Sequence, residues 1–336
     1  MAVLGYFDER FKDHDTGPHH PERPARLSAV TDGLRRFDLT EAMTPCAPRL
    51  ATDDELTLVH DLAYVRAIDK FCADGGGDLD ADTRVSANSA VIARLAAGAG
   101  LDAIERLQDG QADAAFMAVR PPGHHATPTR AMGFCIFNNA AVAAAALAAS
   151  GQRVVIVDFD AHHGNGTSDA FYDRDDVLYV SWHQNRLYPG TGRVDEWGSG
   201  MGLGWTLNMP MPEGATGEHY RCSIEETVAP LIESHGSTWL IVSAGFDGHR
   251  QDPLTDLGLT SGDFADITSD LLQLASPGHR LVFLEGGYDL KAIAESTAAT
   301  VGAMVGEHIH PEPPSSGGPG EDALAVVEIL RGRFLG

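Results

Sequence analysis

The stretch VVIVDFDAHHGNG, residues 154–166, begins with four apolar residues and continues with the polar residues Asp158, Asp160 and His162. Successive side chains alternate faces along a strand, so the two aspartates point the same way and His162 can join them as the strand ends. In an open parallel α/β sheet, ligands bind at the carboxyl ends of the strands. The stretch therefore predicts a strand that delivers metal-ligand side chains to one edge of a sheet.

Three further stretches place chemically active side chains after apolar runs. AAFMAVRPPGHHA (residues 114–126) carries His124 and His125, LIVSAGFDGHRQDPL (residues 240–254) carries Asp247, and RLVFLEGGYDL (residues 280–290) carries Tyr288. Strand and helix patterns alternate from residue 114 onward, which predicts parallel strands joined by helical crossovers. We therefore expect an α/β fold whose loops bring these side chains into one crevice.

The secondary-structure pattern predicts one catalytic domain over residues 1–310. Predicted strands cover residues 3–6, 114–119, 154–157, 177–181, 240–243 and 281–284. Predicted helices cover residues 26–37, 53–71, 86–108, 138–149, 217–235, 261–275, 289–305 and 321–334, and residues 73–83 are expected to be a loop. Residues 311–336, a Pro/Gly-rich linker and the terminal helix, are expected to belong to the same domain or to dock loosely on it.

Composition excludes several classes of protein. A hydrophobic content of 43% is ample for a core, and the net charge of −24 argues against a nucleic-acid partner. No apolar run reaches about 18 residues, so no membrane span is expected. The N-terminus lacks the pattern of a signal peptide. The four cysteines form no CxxC pair, which argues against a cysteine metal site or a disulfide framework and favours a cytoplasmic protein.

The carboxylates and the histidine after the strands suggest a catalytic metal site. Such a site has about three protein ligands and an open position. One carboxylate and one imidazole from residues 154–166, together with Asp247, supply three. Two carboxylates and one histidine suit zinc, and iron(II) is the alternative because the set is rich in oxygen.

The histidine pair and the tyrosine suggest acid–base chemistry beside this metal. Adjacent histidines serve as paired general acid and base groups when each has an orienting partner, and Asp158 and Asn165 are the candidate partners. Asparagine adds no charge, so a His125–Asn165 pair favours a neutral histidine that can accept a proton. Tyr288 can donate a hydrogen bond to a developing oxyanion. A surface histidine pair and a structural tyrosine are the alternatives.

Together these segments resemble the histone deacetylase superfamily, with its arginase-like fold. RPPGHHA, GFCIFNN, DFDAHHGNGT, LYPGTG, GFDGHRQDPL and EGGYDL occur in the family's order. The HHGNG and QDPL segments look more like the class II and bacterial amidohydrolase branch. The resemblance implies a central parallel sheet of about eight strands with helices on both faces. It also implies a zinc-dependent amidohydrolase that acts on acetylated lysine in a protein or peptide.

The resemblance also implies roles for individual residues. Zinc would be bound by Asp160, His162 and Asp247. His125 would be the general base and then the general acid, and His124, paired with Asp158, an electrostatic partner. Tyr288 would polarise the acetyl carbonyl. The walls of a narrow lysine tunnel would be Gly133, Phe134 and Tyr188, with Leu254 at its floor or rim. A structural potassium ion is implied near Asp158, Asp160, His162 and Ser181, and a second near Phe171 and Val177.

Other readings stay open at this point. An acetylpolyamine or other small acetyl-amide is the nearest alternative substrate, although polyamine-preferring members of class II carry a glutamate where this chain has Leu254. An arginase-type enzyme needs two manganese ions and further aspartates. A non-catalytic acetyl-lysine binder would lack part of the ligand, base and tyrosine set. Spacing does not choose which loop aspartate (Asp78, Asp80 or Asp82) contacts substrate, nor whether the chain forms a homo-oligomer.

Overall fold

The computed structural model describes residues 1–334, and this part of the chain forms an eight-stranded sheet whose neighbouring strands are all parallel. The strands are β1 (Val3–Tyr6), β2 (Met43–Pro45), β3 (Gly76–Asp78), β4 (Arg84–Ser86), β5 (Ala114–Met117), β6 (Val154–Asp158), β7 (Val177–Gln184), β8 (Thr206–Met211), β9 (Trp239–Ala244) and β10 (Arg280–Leu284). The order across the sheet is β2-β1-β5-β10-β9-β6-β7-β8, while β3 and β4 form a separate antiparallel hairpin.

The helices connect the parallel strands. They are α1 (Ala25–Arg36), α2 (Asp53–Leu56), α3 (Leu62–Ala73), α4 (Ser89–Gln108), α5 (Asn139–Ala149), α6 (Asn165–Phe171), α7 (Gly217–Ser223), α8 (Ala229–His235), α9 (Ser261–Leu272), α10 (Leu290–Val305) and α11 (Glu321–Phe334). A π-helical turn at Ile224–Val228 separates α7 from α8. The expected α/β fold, with about eight parallel strands and helices on both faces, is confirmed.

The central strands explain why the sheet forms. All five residues of β6, VVIVD, are buried, as are all six of β9. Strands of a parallel sheet are covered by helices on both faces, so they are apolar on both faces. Each large apolar side chain removed from water contributes about 1.5–3 kcal/mol. Asp158 is the first polar residue of β6 and also the last residue of this strand.

Small residues allow α4 to pack closely. A side chain at Gly98 would overlap the backbone of Arg49, and one at Gly100 would overlap the ring of Phe283 on β10. The alanine-rich sequence of α4 and α5 therefore reflects close contact between helices and sheet.

Several predicted elements differ from the structure. The helix expected over residues 53–71 is wrong, because a turn over residues 57–61 separates α2 from α3. The loop expected over residues 73–83 contains β3, and the helix expected over residues 217–235 is interrupted by the π-helical turn. The strands β2 and β8 were not predicted.

The C-terminal segment lies against the body of the protein. α11 contacts β8 and α7, and Val327 is buried. The proposed division at residue 310 stays a prediction. Within residues 1–334, no helix combines the length and the apolar character that crossing a bilayer requires.

Candidate active site

The four loops that carry the expected site residues follow strands that are neighbours in the sheet. These strands are β5, β10, β9 and β6, in that order across its centre. Because the strands are parallel, all four loops leave the sheet at the same edge. Residues that are more than 160 positions apart, such as His124 and Tyr288, therefore meet at one place.

Three expected metal ligands converge at this edge. Asp160, His162 and Asp247 each offer one ligand atom, and these atoms all lie within 4.8 Å of one another. His162 Nδ1 lies 3.1 Å from Asp160 Oδ1 and 2.9 Å from Asp247 Oδ2. Both aspartates are buried, at 1% and 0% exposure. The three side chains thus form a compact donor set that is largely shielded from water.

The surroundings of this donor set fit a divalent cation. Side chains at Gly245 and Gly286 would overlap the Asp160 carboxylate, and one at Gly286 would also overlap the carboxylate of Asp247. Burial and the neighbouring Asp160 carboxylate raise the pKa of Asp247 to about 7. Two buried carboxylates that face one another repel, and a cation between them relieves this repulsion. Two oxygen ligands and one imidazole suit zinc or iron(II).

The two adjacent histidines differ in environment. His124 Nδ1 lies 3.1 Å from Asp158 Oδ2, and His125 Nδ1 lies 2.8 Å from Asn165 Oδ1. Burial opposes the charge of His124, but the carboxylates of Asp160 and Asp158 raise its pKa to about 10. Burial, and then the positive charges of His124 and His162, hold the pKa of His125 well below 6.5. The pair therefore combines a cationic and a neutral imidazole.

The amide of Asn165 sets the tautomer of His125. Asn165 Oδ1 can only accept, so His125 Nδ1 donates the proton and Nε2 is the basic nitrogen. A side chain at Gly133 would overlap the His125 ring, so this glycine gives the imidazole its space.

Side chains of two distant residues hold the backbone at Tyr288. Asp252 Oδ2 accepts from the Tyr288 N–H at 2.6 Å. Arg26 donates to the Gly287 carbonyl at 2.6 Å, and its guanidinium lies 5.1 Å from the centroid of the Tyr288 ring. Burial and the nearby Asp247 carboxylate hold the pKa of Tyr288 well above 10. The phenol therefore keeps its proton and can donate a hydrogen bond.

The expected wall residues surround these groups. The Phe134 ring makes an edge contact with Tyr288 at 5.7 Å between centroids, and Tyr188 makes one with His125 at 5.1 Å. Phe134 has a φ of 69° after Gly133 at 56°, and its N–H donates to Thr83 Oγ1. Leu254 is 37% exposed, which suits the rim of a tunnel better than the floor.

The three loop aspartates have different partners. Asp78 pairs with Arg84, and Asp80 accepts from the N–H groups of Asp82 and Thr83. Burial and Asp80 raise the pKa of Asp82, whose neighbours include Tyr188. The Thr83 hydroxyl accepts from the Phe134 N–H and donates to Asp82 Oδ1, so Asp82 is linked by hydrogen bonds to an expected tunnel wall.

The residues expected to hold potassium lie side by side. Asp158 and Ser181 are register partners on β6 and β7. Ser181 Oγ lies 2.9 Å from His183 Nδ1, and Asp158 Oδ1 accepts from the Asp160 N–H at 3.1 Å. The potassium sites stay a prediction.

A second cluster in the described chain has the spacing of a metal site but not its chemistry. His124, Cys135 and Glu285 offer atoms within 4.8 Å of one another. Burial, and then the Glu285 charge, raise the pKa of the Cys135 thiol well above 9, whereas a metal needs the thiolate. Glu285 Oε2 instead accepts from the N–H groups of Gly123 and His124 and holds the histidine loop.

Comparison with known proteins identifies the chain. The sequence model of the histone deacetylase domain matches residues 20–304. The chain belongs to the histone deacetylase family. A probable deacetylase of Archaeoglobus fulgidus is 36% identical over 307 residues, covering 89% of this chain and 85% of that protein. A solved structure of the HDA15 HD domain superposes with a TM-score of 0.91 at 37% identity, covering 99% of this chain and 95% of that one.

A further family member is the polyamine deacetylase HDAC10 of Homo sapiens. It is 37% identical over 329 residues, which cover 92% of this chain and 48% of the human protein. Membership of the histone deacetylase family makes this chain a hydrolase of the deacetylase and amidohydrolase type, which acts on amides.

Some residues that hold this deacetylase-family site were not predicted. They act through other residues: Glu285 holds the histidine loop, Asp252 and Arg26 hold the Tyr288 segment, and Thr83 holds Phe134. Asp252 lies in the QDPL segment, which contributed to the resemblance, and Arg26 lies in the first turn of α1. Nothing in their local pattern indicates which distant backbone groups they bind.

Proposed function

We propose that this chain is a zinc-dependent amidohydrolase that removes acetyl groups from acetyl-lysine side chains. The observation that carries the proposal is the convergence of three kinds of group in the loops of four neighbouring strands. These are the compact donor set, a neutral histidine beside a cationic one, and a phenol that keeps its proton.

The donor set would hold the metal through Asp160, His162 and Asp247. When bound, zinc supplies a Lewis acid that polarises the acetyl carbonyl and makes a water molecule more acidic. Iron(II) would supply the same chemistry and stays the alternative.

His125 would move the protons of the reaction. Its neutral Nε2 accepts the proton of the attacking water, and the resulting imidazolium gives a proton to the nitrogen of the leaving amine. The C–N bond of the amide breaks, and acetate and a free lysine amine are released. The positive charge of His124 would stabilise negative charge that develops nearby, and Asp158 would hold that imidazolium in place.

Tyr288 would donate its O–H to the carbonyl oxygen as that oxygen gains negative charge. A preorganised donor in a site shielded from water stabilises such charge more strongly than water does. The contacts from Asp252 and Arg26 fix the backbone of this tyrosine before substrate arrives.

Phe134 and Tyr188, with Gly133, would enclose the methylenes of the substrate lysine. Their edge contacts with Tyr288 and His125 support this assignment, because they place two aromatic walls against the reacting groups. Leu254 would lie at the rim. Asp82 would accept from the backbone N–H of a peptide substrate.

An acetylpolyamine or another small acetyl-amide is the second candidate substrate. The similarity to a protein named polyamine deacetylase favours it. The leucine at position 254 argues against it, because an apolar side chain offers no charge to a polyamine cation.

The cytoplasmic location, the lack of a nucleic-acid or membrane partner, and the oligomeric state stay predictions, as do the structural potassium ions.

The experiment is the rate of deacetylation of a fluorogenic acetyl-lysine peptide by zinc-loaded protein, with acetylputrescine and acetylspermidine in parallel. Turnover of the peptide that a chelator abolishes and zinc restores is the expected result. Faster turnover of the polyamines would favour the second candidate. If metal-replete protein hydrolyses none of these amides, the proposal is wrong.

A further inference from the structure

The proline- and glycine-rich segment before α11 is hydrogen-bonded to the rest of the protein along its length. We name residues 312–318 the strap. The Thr260 hydroxyl donates to the Pro313 carbonyl at 2.8 Å, and Ser315 N–H donates to Asp263 Oδ1 at 2.8 Å. The Gly317 carbonyl accepts from Thr216 Oγ1 at 2.7 Å. These bonds keep the strap against α9 and the start of α7.

A close approach of backbones shows how tightly the strap is seated. A side chain at Gly262, in the first turn of α9, would overlap the carbonyl of Glu312. The Glu312 N–H donates to Ser261 Oγ at 3.1 Å, and the Ser261 N–H donates to Glu312 Oε2 at 3.3 Å. Glu312 is therefore fixed against the start of α9 by its backbone N–H and by one carboxylate oxygen.

The carboxylate of Glu312 binds two consecutive residues of the loop after β9. Its Oε2 lies 2.7 Å from His249 Nε2, and its Oε1 accepts from Arg250 at 2.6 Å. His249 Nδ1 accepts from the Gln251 N–H at 3.1 Å, so Nε2 carries the proton that is donated to Glu312. His249 is 1% exposed, and Glu312 is the partner of its Nε2.

His249 stands in the middle of a turn that serves the candidate active site at both ends. Asp247 begins this turn as a member of the donor set, and Asp252 ends it by accepting from the Tyr288 N–H. The His249 N–H donates to the Phe246 carbonyl, and the Asp252 N–H donates to the His249 carbonyl. A shift of His249 would therefore move the metal ligand and the anchor of the tyrosine together.

We infer that Glu312 is a positioning residue for the active site, acting through His249 on Asp247 and Asp252. The inference rests on the proposed function. Under this inference, the strap helps to position active-site residues and is not only a linker before α11. Groups that orient metal ligands without touching the metal change affinity by about 10–100-fold when they are removed.

The test compares Glu312→Gln with Glu321→Gln. The first variant keeps the shape of the side chain and removes the charge that His249 and Arg250 bind. The second is the matched control, since Glu321 is an exposed glutamate just beyond the strap. Zinc affinity is measured by competition with a chelator, and kcat and KM are measured on the acetyl-lysine peptide. All variants are compared at a temperature at which circular dichroism shows them folded.

Glu312→Gln is expected to weaken zinc binding about tenfold and to lower kcat with little change in KM, while Glu321→Gln matches the wild type. His249→Gln should reproduce the effect, and the double variant should add little to either single one. Should Glu312→Gln fail to fold, Arg250→Gln removes the exposed partner alone and should shift zinc affinity in the same direction.

Wild-type zinc affinity and kcat in Glu312→Gln, even with a lower melting temperature, would overturn the inference and leave Glu312 a purely structural residue. The zinc measurement does not depend on turnover. A wild-type protein that fails to hydrolyse the peptide would therefore count against the proposed function, and the comparison of zinc affinities would still decide the role of Glu312.

Discussion

His124 and His125 are adjacent in sequence, yet they have opposite protonation states at neutral pH. Their hydrogen-bond partners differ: the Asp158 carboxylate lies beside His124 and the Asn165 amide lies beside His125. The carboxylates raise the first pKa against the effect of burial, whereas burial and the neighbouring positive charges lower the second. The partners could be proposed from sequence because both lie in the DFDAHHGNG segment.

Asn165→Asp is expected to shift the pH dependence of kcat/KM. A carboxylate beside His125 raises the pKa of that imidazole, and a general base works only in its neutral form. The acidic limb of the profile should therefore move to higher pH. Asn165→Ala is the control, and it should lower the rate without moving that limb upward. A limb that stays in place in Asn165→Asp would contradict the role assigned to His125.

Tyr288→Phe is expected to lower kcat by about 10²–10³-fold, because it removes one preorganised donor to the oxyanion. The ring and its contacts with Phe134 and Arg26 remain. Zinc content, measured by atomic absorption, should match that of the wild type. If the rate is unchanged as well, Tyr288 does not polarise the carbonyl.

At the scale of elements, the turn between α2 and α3 shows how a distant contact overrides a local pattern. Residues 53–71 have a helical pattern, but the chain turns at His60. His60 Nδ1 donates to the Thr127 carbonyl at 3.0 Å, and its Nε2 accepts from the Asn138 N–H at 2.9 Å. Both partners are more than 60 positions away in sequence, so the local pattern contains no sign of this turn.

His60→Gln is expected to reduce the loss of stability in acid. Burial lowers the pKa of His60 to about 4, from 6.5. The folded pKa is depressed, so stability from the neutral imidazole is complete above about pH 6.5 and is lost as pH falls toward 4. Urea unfolding at pH 7.5 and pH 5 should show a larger decrease for the wild type than for the variant. Equal decreases would mean that His60 does not titrate on unfolding.

The ends of β9 and β10 are lined by glycines because the carboxylates lie against their backbones. Gly286→Ala is expected to weaken zinc binding at least about tenfold, since the new methyl group displaces Asp160 and Asp247. Gly248→Ala is the matched control, because its methyl group would meet neighbours at 3.7 Å or more. The zinc affinity of each variant is measured by competition with a chelator. Equal affinities in the two variants would show that the carboxylates can shift without weakening zinc binding.

Within the eight-stranded sheet, the two strands that escaped prediction are its outermost strands, and both contain a proline. They are β2 with Pro45 and β8 with Pro210. A proline lacks the N–H that a central strand needs but is tolerated at an edge. The apolar runs of the central strands were recognised for the opposite reason, because burial on both faces requires an uninterrupted apolar sequence.

At the scale of the whole molecule, the site depends on the order of the strands. Each loop could be predicted to follow a strand, but only the sheet order places β5, β10, β9 and β6 side by side. The bonds from Arg26 to Gly287 and from Glu312 to His249 join distant parts of the chain. Local patterns contain no information about such pairs, so the side chains that converge at the candidate site were predictable, whereas distant residues such as Arg26 and Glu312 that hold their loops were not.

Metal removal is expected to lower the stability of the entire domain. The donor set joins the loops of β6 and β9, and without a cation two buried carboxylates repel. A ligand present at about 100 times its dissociation constant stabilises the folded state by about 2.7 kcal/mol. Calorimetry should show a lower melting temperature after chelation, with recovery on addition of zinc. No shift in wild-type protein would exclude a resident zinc ion at these residues.

The place of β10 in the sheet bears on how the chain is made. This strand is the last of the sheet to leave the ribosome, and it lies between β5 and β9. Until it has been synthesised, the nascent chain can form only two half-sheets, each with an open edge that is ready to pair with another polypeptide. Translation that stops before residue 280 would therefore leave a chain with two half-sheets and unpaired edges. In the complete chain, those edges stay open to aggregation only until β10 pairs with β5 and β9.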